Sequence, residues 1–327
     1  MFEYTYDNLG RQTTAKTPDG TWSYTYDTTG QLTGANFVST NAQIPNQSLS
    51  YVYDAAGNRT RTVINGVTTD YASNNLNQYT TVGTATYRYD ADGNLISVVD
   101  GTKSWTYTYN DENRLIRVVA PEGTWDYEYD PFGNRTASIL NGQRTEYLVD
   151  PFGLGNVVGE YSGNGLIADY VHGFGLIGRF NGGNAAYYDS DSIGSTTGLT
   201  NTTGNYANRY AYRPFGENLV ITEEIANPFE YVGQWGVMSE ENRLDFMRAR
   251  FYSESEGRFN SKDPIGQLGG INVYRYVSNS PINGIDPLGL WVFSLGGAIT
   301  GGGGAGGTVG ASVVWDGSSL LPRIESI

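Results

Sequence analysis

Apolar and polar side chains alternate along most of the first 220 residues or so, and each alternating run ends at a turn. The runs are rich in Tyr, Trp and Thr, as in the segment from Trp105 to Tyr109. Alternation with a period of two in these residue types predicts β-strands, and an aspartate followed three residues later by glycine predicts a tight turn. The pattern therefore predicts a series of β-hairpins and an all-β fold.

The turns recur at regular intervals, with successive tyrosine-aspartate positions 20, 27, 36, 20, 20 and 20 residues apart. The positions are Tyr6-Asp7, Tyr26-Asp27, Tyr53-Asp54, Tyr89-Asp90, the variant Tyr109-Asn110, Tyr129-Asp130 and the variant Val149-Asp150. One hairpin cannot bury its aromatic face alone, so we expect the hairpins to stack edge to edge into one long, curved sheet. We interpret the aromatic stripe as a packing surface; the alternative is a surface on which sugars stack.

Composition excludes several kinds of chemistry. The 327 residues contain 20 Lys+Arg, 34 Asp+Glu, one histidine and no cysteine, and the net charge is −14. This charge disfavours nucleic-acid binding, because phosphate backbones are repelled. Without cysteine there are no disulfides, no cysteine nucleophile and no cysteine-rich zinc site. We interpret the single histidine, His172, as a structural residue, and we predict no metal and no cofactor.

The chain shows no sign of membrane insertion or export. No run of 18 largely apolar residues is present, so we predict no membrane span. The first residues, from Met1 to Tyr4, lack the basic and apolar regions of a signal peptide. We therefore interpret the chain as a segment of a longer protein.

The segment Asp-Pro-x-Gly occurs four times, beginning at Asp130, Asp150, Asp263 and Asp286. It is first of all the sequence of a type I turn. Asp263 and Asp286 can also meet if residues 267–284 fold back, and two carboxyl groups that share one proton can hydrolyse a peptide bond. The residues alone leave the structural and the catalytic interpretation open.

Longer stretches in the last part of the chain resemble the RHS/YD-repeat family. This family includes bacterial Rhs toxins, the C components of insecticidal toxin complexes, wall-associated proteins and animal teneurins. The resemblance covers about residues 2–290 and is most specific over the RHS-associated core domain. The core stretches are Gly233-Gln234-Trp235, Leu244 to Tyr252, Gly257 to Gly266, Asn272 to Val277, Asn279-Ser280-Pro281 and Asp286 to Leu290.

The resemblance implies a hollow β-shell. In the family, the repeats spiral around a C-terminal toxin, and the core domain closes one end and acts as an intramolecular aspartyl protease. Carried onto this chain, the catalytic pair is Asp263 and Asp286, and the cut lies between Leu290 and Trp291. Arg258 matches a family arginine that assists cleavage. Its structural alternative is a surface ion pair with Glu254 or Glu256.

We expect three segments: a repeat shell over residues 1–225, a core domain over 226–290 and a glycine-rich segment over 291–327. Ten of the last 37 residues are glycine, and this segment matches the start of the family's variable effector region. A flexible linker is the alternative. The apolar stretches Trp291 to Phe293 and Ser312 to Trp315 argue against a pure linker.

The leading hypothesis is an encapsulating toxin shell that cleaves itself once. Its partners are then its own C-terminal effector segment and other toxin-complex or secretion components, and its location is outside a bacterium or on the bacterial surface. One alternative is a non-catalytic surface adhesion module whose tyrosine faces bind a glycan or a partner protein. Another is an inert scaffold whose shell is too short to close.

Overall fold

One antiparallel sheet of 22 strands dominates the computed structural model, which describes residues 2–298 and 308–312. Each strand pairs with its neighbours in sequence, so the sheet is a continuous meander. The strands are β1 (Glu3–Tyr6), β2 (Gln12–Thr17), β3 (Gly20–Tyr26), β4 (Leu32–Ser39), β5 (Gln47–Tyr53), β6 (Arg59–Ile64), β7 (Val67–Ser73), β8 (Tyr79–Val82), β9 (Ala85–Tyr89), β10 (Leu95–Asp100), β11 (Lys103–Tyr109), β12 (Leu115–Ala120), β13 (Gly123–Tyr129), β14 (Arg135–Leu140), β15 (Gln143–Val149), β16 (Val157–Ser162), β17 (Gly165–His172), β18 (Leu176–Asn181), β19 (Asn184–Ser190), β20 (Thr196–Asn201), β21 (Tyr206–Tyr212) and β22 (Asn218–Glu223).

The aspartate of each tyrosine-aspartate pair holds the turn that follows it. In the turn after β5, Oδ1 of Asp54 accepts hydrogen bonds from the backbone N–H groups of Ala56 and Asn58, both at 2.9 Å. The Asn58 amide donates to the other carboxylate oxygen, and the N–H of Gly57 bonds the Asp54 carbonyl. An Asx turn of this kind needs a short acceptor side chain at the first position. The recurring aspartate is therefore a structural element of the repeat.

In three of these pairs the tyrosine reaches back to the preceding hairpin. The hydroxyl of Tyr26 donates to the carbonyl of Gln12 at 2.5 Å, and Tyr129 donates to Leu115 at 2.7 Å. Tyr53 makes the same kind of bond to Leu32 at 2.9 Å. At these three positions phenylalanine would fill the same space but would remove the bond to the carbonyl, which favours tyrosine there.

The hairpin ends carry regular β-bulges that bend the sheet. The register shifts next to the turn in successive repeats, for example between Thr25 and Tyr26 and between Glu128 and Tyr129. A bulge bends its strand and increases the local twist, so repeated bulges on one edge coil the sheet. Side chains accordingly connect early and late hairpins: Asp19 and Arg209 form an ion pair of 2.8 Å.

Residues 226–290, which we call the core segment, lie outside the 22-stranded sheet. Its strands are short and are connected by turns and 3₁₀ helices. The strands are β23 (Met238–Ser239), β24 (Leu244–Met247), β25 (Arg250–Ser253), β26 (Arg258–Phe259) and β27 (Gly284–Ile285), and the 3₁₀ helices are Gly233–Trp235, Gly266–Gly269 and Val277–Asn279. Strand β27 pairs with β28 (Phe293–Ala298), which pairs with β29 (Thr308–Ser312).

The core segment is the wall against which the aromatic stripe packs. Tyr127 lies 5.0 Å from Phe251 between ring centroids, and Tyr170 lies 4.9 Å from Phe229. The largest buried cluster combines side chains of β12–β18 with five residues of the core segment: Phe229, Met238, Leu244, Phe246 and Phe251. This packing confirms that the stripe is mainly a buried surface. We call this face of the sheet its inner face.

Two arginines that follow turns are buried in the same interface. Arg59 stacks over the ring of Phe215 at 3.9 Å, and Arg135 stacks over Phe246 at 4.1 Å. Arg135 also forms a buried ion pair with Glu240 of the core segment. Each arginine follows a Gly-Asn pair in the repeat. The sheet and the core segment are therefore joined by charges as well as by rings.

The structure confirms the all-β prediction and the long antiparallel sheet. Among the described residues, no helix is long and apolar enough to cross a membrane. In the described sheet, β1 pairs only with β2 and β22 pairs only with β21. Most of the glycine-rich segment, including Val313 to Trp315, lies outside the described residues.

Candidate functional site

Three asparagines fold the loop between Asp263 and Asp286 back onto the first hairpins. Asn272 donates to Oδ1 of Asn58 at 2.8 Å, and Asn279 donates to the carbonyl of Gly57 at 2.8 Å. Oδ1 of Asn283 accepts from the backbone N–H of Gln12 at 2.7 Å. These bonds attach the loop to the turn after β5 and to the start of β2. The fold-back that the sequence suggested therefore occurs, and the repeat turns fix its position.

The loop brings the two carboxylates to one arginine, Arg250, at the start of β25. Its Nη2 lies 2.8 Å from Oδ2 of Asp263 and 3.3 Å from Oδ2 of Asp286. The arginine side chain is 2% exposed, and those of the two aspartates are 6% and 3% exposed. A single buried cation thus holds two carboxylates within reach of one nitrogen.

Arg250 is itself held on every side. Its Nε donates to the carbonyl of Gly289 at 2.6 Å, and its Nη1 donates to the carbonyl of Val273 at 3.1 Å. The guanidinium lies 3.6 Å from the ring centroid of Phe259, a short cation–π distance. A planar guanidinium can satisfy this fork of acceptors, whereas a lysine ammonium cannot.

Asp286 also contacts the peptide bond at which the resemblance implies cleavage. Its Oδ1 accepts hydrogen bonds from the N–H of Leu290 at 2.9 Å and from the N–H of Trp291 at 3.1 Å. The N–H of Trp291 belongs to the Leu290–Trp291 peptide bond. Leu290 and Trp291 are both half-buried. The carboxyl group is therefore next to the nitrogen that would leave if this bond were hydrolysed.

Gly289 allows this close approach. Its φ is +65°, and a Cβ at this position would lie 2.6 Å from the carbonyl oxygen of Met247 and 3.0 Å from the backbone nitrogen of Arg250. Both the left-handed conformation and the contact exclude larger residues. The glycine of the last Asp-Pro-x-Gly segment therefore brings the turn directly against β25.

Burial raises the pKa of both carboxyl groups. The pKa of Asp286 is raised to about 6, mainly by burial and to a smaller extent by the charge of Asp263. Arg250 and the two backbone N–H groups act in the opposite direction on Asp286. Burial also raises the pKa of Asp263, against the charge of Arg250. Both acids therefore keep their protons to a higher pH than an exposed aspartate does.

The stability of the protein should depend on the ionisation of Asp286. Its pKa rises from 3.8 in the unfolded chain to about 6 in the folded one, so the folded state loses stability as pH rises from about 4 to about 7. The expected loss is about 3 kcal/mol. We would measure urea unfolding of Asp263→Asn and Asp263→Asn/Asp286→Asn across this pH range. Other buried carboxyl groups with a raised pKa, such as Asp191 and Glu230, remain in both chains, so the loss should be about 3 kcal/mol larger in the chain that retains Asp286.

Asp130 provides a matched control for this pH dependence. Its pKa is lowered by hydrogen bonds from Asn134 and neighbouring backbone groups, although burial opposes them. A carboxyl group with a lowered pKa stabilises the folded state at neutral pH and loses that effect as pH falls. Asp130→Asn should therefore change the pH profile in the opposite direction. Equal pH profiles for the two Asp263→Asn chains would contradict the assignment to Asp286.

Arg258, which the resemblance assigns to cleavage, is not among the ion-pair partners found for Asp263 and Asp286 in the described part of the chain. Its Nη2 donates to the carbonyl of Asn77 at 2.6 Å, and its guanidinium lies 4.0 Å from the ring of Tyr79 and 5.0 Å from that of Tyr274. It is 5% exposed, so the surface ion pair proposed as an alternative does not form either. The arginine beside the two carboxylates is Arg250. Sequence reasoning missed it because three arginines lie within eleven residues.

The other candidate residues have structural surroundings. Asp130 and Asp150 each accept a bond from the backbone N–H two residues later, as the aspartates of the repeats do. Nε2 of His172 lies 2.9 Å from the carbonyl of Val157, and burial lowers the pKa of this histidine. In the described part of the chain, no three His, Asp or Glu side chains are placed to hold a metal ion.

The RHS Repeat family model matches residues 89–124 and 109–146. These two overlapping stretches contain strands β10–β14 and their tyrosine-aspartate turns. This match shows that residues 89–146 consist of RHS repeats.

Two curated proteins illustrate the range of its relatives. Salivary gland surface protein 1 of Aedes aegypti is 36% identical over 137 residues, which are 39% of this chain and 4% of that protein. Double-stranded DNA deaminase toxin A of Burkholderia cenocepacia is 31% identical over 109 residues, 32% of this chain and 7% of that protein. The chain therefore spans only a small part of the length of these relatives.

A solved structure shares the fold. The crystal structure of TcdB2-TccC3 without its hypervariable C-terminal region superposes with a TM-score of 0.60. The sequences are 17% identical, and the match covers 88% of this chain and 17% of the other. The long antiparallel sheet thus has the fold of part of TcdB2-TccC3.

Proposed function

We propose that this chain is part of an RHS toxin shell whose core segment cleaves its own backbone once, between Leu290 and Trp291. The observation that carries the proposal is the placement of Asp286, which shares Arg250 with Asp263 and accepts the N–H of Trp291. Hydrolysis by two acids requires one carboxyl group next to the leaving nitrogen and a second carboxyl group close by.

In the proposed reaction, Asp263 in its ionised form takes a proton from a water molecule. The water oxygen adds to the carbonyl carbon of Leu290 and forms a tetrahedral intermediate. Asp286 in its protonated form gives its proton to the nitrogen of Trp291, and the C–N bond breaks. The products are a carboxylate at Leu290 and an amine at Trp291. A pKa of about 6 keeps Asp286 partly protonated near neutral pH, as its role requires.

Arg250 has a positioning role in this proposal. Its single Nη2 bonds both carboxylates, and its Nε fixes the carbonyl of Gly289, one residue before Leu290. The arginine therefore sets the distance of both acids from the peptide bond. Precise placement of reacting groups contributes a large part of catalysis in enzymes of this type.

The segment after Leu290 would be the separated product. Strand β28, which begins at Phe293, pairs with β27, so a cut at Leu290 would leave the new N-terminus attached to the core segment by the sheet. Cleavage and release are then separate steps. The partners we propose are this C-terminal segment and other toxin-complex components, because the structural neighbour TcdB2-TccC3 is itself a complex. The proposed location is outside a bacterium or on its surface.

The proposal is tested by the intact mass of the purified chain under denaturing conditions. We expect two polypeptides that meet at Leu290 and Trp291 from the parent chain. Asp263→Asn and Asp286→Asn should each give one full-length polypeptide, because an amide can neither accept nor donate the required proton.

Asp130→Asn is the matched control for this experiment. Asp130 begins the same kind of Asp-Pro-x-Gly turn but lies between two repeat strands, so its amide variant should cleave as the parent does. A full-length parent chain would contradict the proposal. Cleavage that persists in either Asp263→Asn or Asp286→Asn would contradict the roles assigned to the two acids.

A further inference from the structure

The first and the last hairpins leave a cavity of about 100 Å³ between them on the inner face, which we call the β1–β21 cavity. Its walls are mainly rings of the aromatic stripe. Trp22 and Tyr24 lie parallel there, with 6.1 Å between their ring centroids. The exposed side chain of Tyr206 also lines the cavity, so the cavity reaches the surface beside this residue.

Asp191, in the turn after β19, departs from the rule of the repeat turns. In five of these turns the second carboxylate oxygen accepts a bond from the side chain four residues later, which is Arg11, Gln31, Asn58, Asn94 or Asn134. The residue four after Asp191 is Ser195, whose short hydroxyl accepts from the N–H of Val232 instead, at 3.2 Å. Oδ1 of Asp191 bonds backbone N–H groups of its own turn. Its Oδ2 has no side-chain partner within residues 2–298 and 308–312.

The unpaired oxygen and one tyrosine hydroxyl are both open to the cavity. Asp191 and Tyr24 line the cavity, and both are half-buried. Oδ2 of Asp191 and the hydroxyl of Tyr24 are not among the described unpaired polar atoms that are sealed from solvent. The Tyr24 hydroxyl has no hydrogen-bond partner in the same ranges, whereas that of Tyr212 donates to the carbonyl of Thr196 at 2.8 Å. Two free polar groups therefore lie on an otherwise aromatic wall.

Asp191 gives the cavity one uncompensated negative charge. Two arginines also line the cavity, but Arg209 pairs with Asp19 at 2.8 Å and Arg213 pairs with Glu217 at 3.3 Å. Burial raises the pKa of Asp191 to about 6, although backbone hydrogen bonds oppose this effect. A carboxylate that is largely removed from water is stabilised by a cation that pairs with it. The lining therefore favours a ligand with a positive charge and repels acidic ligands.

We propose that the β1–β21 cavity binds a primary alkylammonium group, either of a free amine or of a lysine side chain. An ammonium has three N–H donors and no acceptor, so Oδ2 of Asp191 and the hydroxyl oxygen of Tyr24 are both suitable partners. The electron-rich faces of Trp22 and Tyr24 attract a cation and provide apolar surface for the alkyl chain. A cavity of about 150 Å³ holds benzene, so the smaller β1–β21 cavity fits a chain of about four carbons.

The test is calorimetric titration of the purified chain at pH 7 with n-butylammonium, 1-butanol and butyrate, which carry similar carbon chains but differ in charge. We expect butylammonium to bind, 1-butanol to bind at least about tenfold more weakly, or by about 1.4 kcal/mol, and butyrate not to bind. N-acetyl-lysine methylamide separates the two sources of the ligand. If it binds as tightly as butylammonium, the cavity accepts a lysine side chain; if only butylammonium binds, the ligand is a free amine.

Asp191→Asn removes the charge and should keep the turn, because Asn74 and Asn110 begin the same kind of turn elsewhere in the sheet. We expect this variant to bind butylammonium at least about tenfold more weakly than the parent. Asp130→Asn is the matched control. It changes the same turn position outside the cavity and should bind as the parent does.

The affinity for butylammonium should fall about tenfold between pH 7 and pH 5. Protonation of Asp191 removes its charge over this range, whereas the ligand stays charged. The other titratable groups that face Asp191 are Tyr4 of β1, Tyr24 of β3 and Tyr212 of β21. Burial raises the pKa of all three, so they stay neutral throughout. Asp191→Asn should show no such pH dependence.

Tyr24→Phe keeps the ring and removes the second acceptor, so it should also weaken binding, and it serves as the test if Asp191→Asn fails to fold. Cleavage at Leu290 should be unchanged in both variants, because neither residue bonds the two acids or the arginine of the candidate site. Absence of butylammonium binding, equal binding of 1-butanol, unchanged affinity in the folded variants, or affinity that does not depend on pH would overturn the proposal.

Discussion

In an Asp263→Asn chain, replacing Arg250 by leucine is expected to lower the free energy of unfolding by about 3–5 kcal/mol at pH 7. The Asp263→Asn background keeps the chain intact for the measurement, since we expect no cleavage in it. Without Arg250, the Asp286 carboxylate is buried with no cation to compensate it. The cost should shrink as pH falls, because protonation of Asp286 removes the uncompensated charge, and loss of Arg250 raises the pKa of Asp286 further. Urea unfolding at pH 7 and at pH 4 measures both effects.

Arg144 provides the matched comparison for Arg250. It also pairs with two carboxylates, Glu128 at 2.7 Å and Glu146 at 2.9 Å, but its side chain is 40% exposed. Water and salt screen such pairs, so Arg144→Leu should leave the unfolding midpoint nearly unchanged at both pH values. Equal effects of the two substitutions, or an effect of Arg250→Leu that does not depend on pH, would contradict the buried arrangement.

Replacing Arg135 by leucine in the same background should cost about 3–5 kcal/mol as well. Arg135 carries the buried ion pair with Glu240 and stacks between Phe246 at 4.1 Å and Tyr147 at 5.0 Å. Its loss leaves the Glu240 carboxylate buried beside apolar rings. Denaturant unfolding measures the cost, which reports how strongly the repeat sheet holds the core segment.

A double substitution separates the charge from the packing. Arg135→Leu/Glu240→Leu removes both charges, and we expect it to recover most of the stability that the single substitution loses. Arg117→Leu is the surface control: its pair with Asp126, at 2.8 Å, is half exposed and should contribute about 1 kcal/mol or less. If Arg135→Leu lowers the free energy of unfolding no more than Arg117→Leu does, Arg135 does not join the repeat sheet to the core segment.

The repeat architecture could be predicted from the sequence because each of its determinants is local. The tyrosine-aspartate pair, the glycine three residues later and the alternation of the strands lie within one hairpin, and neighbouring hairpins pair in sequence order. The reason for the tyrosine could not be predicted. The partner of its hydroxyl, such as Gln12 for Tyr26, lies in the preceding hairpin, at a register that bulges set.

The candidate site is a different case, because its parts are distant in sequence. Asp263 and Asp286 were recognised from a resemblance, whereas their shared cation depends on how β25 lies against the last turn. Arg250 and Arg258 have the same local character, two strand arginines beside aromatic residues. Only the fold shows that one faces the carboxylates and the other faces Tyr79 and Tyr274.

Hydrolysis of the parent chain in water enriched with heavy oxygen tests the central claim most directly. If two acids activate water at Leu290, the N-terminal polypeptide ends at Leu290 and carries one heavy oxygen in its new carboxylate, and the second polypeptide begins at Trp291. Chain synthesis in the enriched water, followed by intact-mass and peptide mass spectrometry, gives this result without substitutions. A single full-length chain, a cut at another bond, or a cut at Leu290 without the heavy oxygen would contradict the account.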